Sequence, residues 1–86
     1  MNADIEFRPR WREELEAISS QGKLVFELGL GLGKKVYFPT EARWRAQAPA
    51  WAREQWPRYS QSCRLWCLNN HVAFSLVEDA NFQEEK

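Results

Sequence analysis

Cys63, Cys67 and His71 stand at a regular interval of four and are the first place in this 86-residue chain where side chains could ligate a metal or act as nucleophile and base. Residues four apart share one face of a helix, and two thiolates with an imidazole would offer zinc three ligands. The set lacks an evident fourth ligand, and Asn69-Asn70 is a polar stop that ends a helix before His71. That break also parts His71 from Cys67 as base and nucleophile. A strand after residue 70 returns Ser75 to the face of His71, but with another residue between them. The two cysteines therefore read as reduced thiols packed on one helical face, with no metal and no cofactor.

Gly29-Leu30-Gly31-Leu32-Gly33-Lys34-Lys35 has the composition of a phosphate loop without its spacing. A Walker loop ending at Gly33-Lys34 needs glycine where Leu28 stands and serine or threonine where Lys35 stands; a dinucleotide fingerprint begun at Gly29 needs glycine at Lys34. The segment reads instead as a hairpin turn with Gly31 or Gly33 at positive φ. Glu13, Glu14 and Glu16 read as the polar face of a helix and Glu27 as the outer side of a strand, a solvated surface rather than a catalytic carboxylate pair. No catalytic residue emerges, and the chain reads as a non-enzyme.

The stronger candidate is an interleaving of cations and aromatic rings: Arg43, Arg45, Arg53, Arg58 and Arg64 with Trp44, Trp51, Trp56, Tyr59 and Trp66. Arginine and aromatic planes serve single-stranded nucleic acid as phosphate contacts and stacking platforms, and the same pair is enriched at protein interface hot spots. Trp51 and Trp56, five apart, point about 140° away from each other on a helix, so one core cannot take both. Trp51, Arg53, Trp56 and Arg58 are accordingly the expected partner-binding residues.

The elements that must hold these residues follow from periodicity. Pro9 suits a first helical position, Trp11, Leu15 and Ile18 recur at helical spacing, and Gly22 suits a left-handed stop, which predicts a helix over 9–20. From Lys23 the period becomes two, with Leu24, Phe26, Leu28 and Leu30 on one side. Lys35–Phe38 makes a second strand. Thr40 suits a helix cap. Pro49 and Pro57 disfavour helical geometry just before themselves and divide the next stretch into short helices near 41–47, 49–56 and 57–68. Tyr59, Cys63, Trp66 and Cys67 share a face of the last. Val72, Phe74 and Leu76 alternate in a third strand over 71–77. A hairpin turning at Asn69-Asn70, between 63–68 and 71–77, is the rival reading. Residues 1–82 form one domain, and 83–86 read as a solvated tail.

The expected fold is thus a small α+β domain in the order α-β-β-α-α-β, with a three-stranded antiparallel sheet packed on one side by helices. A chain of this size buries about 64% of its unfolded surface, so the core is thin, and five tryptophans cannot all be fully buried in it. Twelve basic and twelve acidic residues give zero net charge, which removes the usual sign of a nucleic-acid binder. The charge is graded: residues 23–68 hold eight bases against three acids, and both ends are acidic. No apolar run is long enough for a membrane span. Acids at Asp4 and Glu6, where a secretory leader carries Lys or Arg, place the protein in the cytoplasm. The reading that results is a protein-interaction module of adaptor, inhibitor or toxin-neutralising immunity type. The alternative is a nucleic-acid-binding module using the Arg/Trp-rich centre.

Overall fold

Alternation of apolar and polar residues dictates more of this chain than helical spacing does. The computed structural model describes residues 5–10, 13–29 and 33–85. It runs β1 (Glu6–Arg10), β2 (Glu14–Ile18), β3 (Lys23–Gly29), β4 (Lys35–Pro39), α1 (Glu41–Gln47), a 3-10 turn (Arg53–Gln55), α2 (Trp56–Asn69), β5 (Ala73–Val77) and β6 (Phe82–Glu85). Among the described residues it is a small α+β domain with two helices and a six-stranded mixed sheet, not the three-stranded antiparallel sheet in α-β-β-α-α-β order that the periodicity predicts.

The helix expected over 9–20 is instead the antiparallel hairpin of β1 and β2. Leu15 and Ala17 meet Phe26 and Leu24 across the β2–β3 ladder, and all four are buried. Ile5 and Phe7, ahead of the expected helix, carry the alternation back onto β1 and are buried too. A helix of about three turns could bury only one stripe, whereas a strand between two antiparallel neighbours satisfies its backbone on both edges. Trp11, part of the expected stripe, lies outside the described residues.

Gly22 is likewise no helix stop, and its φ is not positive. It sits in the tight β2–β3 turn, where Ser19 N–H donates to the Gly22 carbonyl at 2.9 Å. A Cβ there would come within 2.5 Å of the Trp51 indole, so glycine is needed for close approach. Gly33 has open space around it and is also not at positive φ; Gly31 lies outside the described residues. The antiparallel pairing of β3 with β4 is as expected.

β3 is the pivot of the sheet. One edge pairs with β2 along residues 23–27, and the other is divided: Glu27–Gly29 pair with β4, and Lys23–Phe26 pair with β6. β4 leaves after Tyr37 because Pro39 offers no N–H and Thr40 begins α1, its Oγ1 accepting from Arg43 N–H at 3.4 Å. β5 runs parallel to β4 after the helical crossover. The chain then turns at Glu78–Asn81 and fills the edge that β4 vacated.

Of the expected tail, 83–86, residues 83–85 are therefore strand and Lys86 lies outside the described residues, and Phe82 stacks on Trp44 with ring centroids 5.3 Å apart. Around Phe26 gather Phe38 at 4.9 Å, Phe82 at 5.7 Å and Trp44 at 6.2 Å. Trp44 is fully buried and donates its indole N–H to the Ala52 carbonyl at 2.9 Å.

Pro49 acts as expected. Ala48 before it is extended at ψ 148° and ends α1. The following stretch makes turns and the 3-10 segment rather than the expected helix over 49–56; Pro57 does not break the helix before itself as expected, because Trp56 is helical at φ −54° and ψ −45° and starts α2, with Pro57 in its first turn. Because α2 continues through Asn69, the rival hairpin reading does not hold.

Filling the space at Gly22 tests the turn: Gly22→Ala should destabilise the fold by about 1–3 kcal/mol through overpacking against Trp51. Trp51→Ala should relieve part of that penalty in a double-mutant cycle by thermal melting.

Candidate interaction surface

The residues singled out for chemistry do not assemble into a reactive site. Cys63 and Cys67 are buried, free thiols on one face of α2. Their mutual hydrogen bond, with burial adding to it, pushes Cys63 well above the ordinary thiol range. His71 is exposed just beyond α2 at φ 58°. It occupies the left-handed position of a Schellman stop: Val72 N–H donates to the Cys67 carbonyl at 2.8 Å, and buried Val72 packs behind it. Asn69-Asn70, the expected polar stop, ends α2 without positive φ; the residue that adopts it is the next one. Among the described residues no three His, Cys, Asp or Glu side chains converge as a metal set.

A cleft of about 470 Å³ opens where β4 gives way to β6, lined by Glu13, Glu14, Glu27 and Arg43 with Phe26 and Phe82 beneath. Glu14 and Glu27 face each other across the β2–β3 ladder. Arg10 answers the first of them, its Nε donating to Glu14 at 2.9 Å. The same guanidinium donates to Glu16 at 2.8 Å and grips Glu85 through two bonds of 2.7 and 2.6 Å, while Lys23 Nζ lies 3.7 Å from Glu16 and 3.6 Å from Glu85. Glu16, nearly buried, is tolerated because two cations face it. Hydrogen bonding to Arg10 holds the Glu85 carboxyl below its ordinary 4.5. This network ties β6 to β1 across the sheet.

The four expected partner-binding residues are neighbours along the chain but not a single free patch. Trp51 and Trp56 are both half-buried and pack on the core. The Trp51 indole N–H donates to Glu84 at 3.0 Å, and that of Trp56 donates to the Pro39 carbonyl at 2.9 Å. Arg53 and Arg58 are exposed; Arg53 reaches the Ala48 carbonyl at 3.3 Å, and Arg58 donates to Gln55 at 2.7 Å. Of the other arginines, Arg43 donates to the Ala80 carbonyl at 3.1 Å and Arg45 pairs with Glu41 and Glu54. Arg64 stacks on Phe74, 4.7 Å from the ring centroid.

That last contact marks the surface which sequence reasoning missed. Leu65 and Leu68, three apart on the outer face of α2, are 56% and 73% exposed, and Leu76 on β5 is 41% exposed. Arg64 has Leu68 one helical turn away on α2 and covers Phe74, whose same-face neighbour on β5 is Leu76, while Leu65 lies opposite the buried stripe of α2. β5 is the last strand of the ladder path, and among the described residues its outer edge is unpaired. Its sequence, Ala-Phe-Ser-Leu-Val, contains neither charge nor proline. The opposite edge, β1, is Glu-Phe-Arg-Pro-Arg, guarded as exposed edges usually are. Leu65 and Leu68 lay off the Tyr59-Cys63-Cys67 stripe and carried the only available signal. Comparison with protein-family models, curated proteins and solved structures finds no match.

Two outcomes check this geometry. His71→Gly should remove the left-handed strain and raise stability by about 0.5–1 kcal/mol in chemical denaturation. Glu85, with its folded carboxyl held low, contributes stability that is present above the ordinary carboxylate range and lost as pH falls through its folded value. In melting curves from neutral pH to about pH 3, the wild type should lose stability more steeply than Glu85→Gln.

Proposed function

We propose that this chain is a non-enzymatic protein-interaction module of adaptor, inhibitor or immunity type, working in the cytoplasm. The observation that carries the reading is the unguarded edge of β5 beside the exposed leucines of α2. Main-chain groups on such an edge can accept an added strand, and the apolar side chains next to it supply the pockets and the area. Trp51, Arg53, Trp56 and Arg58 form a second contact candidate, in which the half-exposed indoles would be read with the exposed guanidinium groups. Arg64 on Phe74 gives the edge a cationic, aromatic anchor of the kind enriched at hot spots.

No helix among the described residues is long and apolar enough to cross a membrane. The nucleic-acid alternative depends on the central arginines, and Arg43 and Arg45 are already engaged with the fold.

The test uses the chain with its isolated protein partner. Leu68→Glu should weaken binding by about tenfold or more with the melting temperature unchanged, because Leu68 is largely solvent-exposed. Trp51→Ala and Trp56→Ala should lower the melting temperature as well as affinity. Tight binding of single-stranded oligonucleotides that falls steeply with salt and depends on Arg53 and Arg58 would replace this reading with the nucleic-acid one.

A further inference from the structure

We propose that the occupant of the β5 edge is a second copy of this chain, paired antiparallel through β5 about a two-fold axis at Ser75; this rests on the reading of that edge as an interaction surface. In the parallel ladder with β4, Ala73 N–H bonds to the Lys34 carbonyl, and the Val77 carbonyl accepts from Thr40 N–H. Residues 73, 75 and 77 therefore turn their backbone groups inward. Phe74 and Leu76 turn theirs to the open edge. A two-fold at Ser75 sets Phe74 opposite Leu76 of the second copy, and Leu76 opposite its Phe74. All four outward groups on each edge are then matched as hydrogen-bonded pairs, and the two serines meet as a non-hydrogen-bonded pair.

The charges favour a copy of the same chain in this orientation. The N-terminal end of β5 is basic, with Lys34 and Lys35 beside Ala73 and Arg64 over Phe74. The C-terminal end runs directly into Glu78-Asp79. Antiparallel pairing sets Ala73 and Phe74, with Lys35 and Arg64 beside them, against the other copy's Val77 and Leu76, from which the chain runs into Glu78-Asp79. A parallel arrangement would set like charges together. Both copies of α2 lie on the same face of the joined sheet, the face on which Leu76 of each copy meets Phe74 of the other.

Sedimentation equilibrium of the full chain over a wide concentration range should give a monomer–dimer equilibrium. Leu76→Lys should shift it about tenfold or more toward monomer, and Leu68→Glu, at a more exposed position, should do likewise without loss of fold. Ser75→Cys should form a disulfide-linked dimer under mild oxidation, since antiparallel non-hydrogen-bonded pairs place Cα atoms about 4.5 Å apart, within disulfide reach. Ser20→Cys, exposed in the β2–β3 turn, should not. A chain that stays monomeric at every concentration, or a Ser75→Cys variant that cross-links no better than Ser20→Cys, overturns the proposal. If that monomer's Phe74 and Leu76 amides are protected from exchange by a different protein, the homodimer falls while the interaction reading stands; if no protein protects them, both fall.

Discussion

One edge of β3 is shared by two strands, and most of the architecture follows from that division. β4 takes Glu27–Gly29 and β6 takes Lys23–Phe26, so the sheet is complete only when the far end of the chain returns to its middle. Phe26 stands at the division and is packed from both sides, by Phe38 just beyond β4's paired stretch and by Phe82 at the start of β6. Pro39 is the local cause. Lacking an N–H, it cannot continue a ladder with β3, and it sends the chain into α1, whose Trp44 closes over the same aromatic group.

The opposite face of the sheet is held by charge. Arg10 binds Glu14, Glu16 and Glu85 at once, linking β1, β2 and β6 across the intervening β3. A bidentate guanidinium–carboxylate pair has fixed geometry, so the network sets where β6 ends as well as adding attraction. Glu16 is the member most dependent on it, because a nearly buried carboxylate without cations would be costly. Aromatic stacking on one face and the ion network on the other both converge on the last strand.

The edges at the two ends of the path from β1 to β5 are treated oppositely, β6 leaving a third on the side away from β3. β1 carries alternating charge and Pro9, which discourage further pairing; β5 carries neither, and beside it α2 leaves Leu65 and Leu68 in solvent. Exposed leucines scattered singly need no explanation. Here Leu68 and Leu76 lie on either side of the Arg64–Phe74 contact, beside a strand edge that is unpaired among the described residues and carries no charge.

Local stereochemistry was legible in the sequence wherever one residue acts on its neighbours. Thr40 caps α1, Pro49 holds Ala48 extended, and Leu24, Phe26 and Leu28 face one core, because each effect spans only a few bonds or a two-residue alternation; the break expected before Pro57 fails, since Trp56 is helical. The buried Tyr59-Cys63-Cys67 stripe was legible for the same reason. Residues 9–20 were not: Leu15 and Ile18 recur at a helical spacing but lie on opposite faces of β2, and only pairing of Leu15 and Ala17 with Phe26 and Leu24, and of β2 with β1, decides for the sheet. Gln83–Glu85 look like a solvated tail until Arg10, more than seventy residues away, takes Glu85. The candidate surface divides in the same way. The arginines and tryptophans are visible in composition, but whether an indole faces solvent depends on Glu84 and the Pro39 carbonyl. That β5 is an edge depends on the order of six strands, which no local pattern records; tertiary structure decided it, because strand order is set by contacts between residues far apart along the chain.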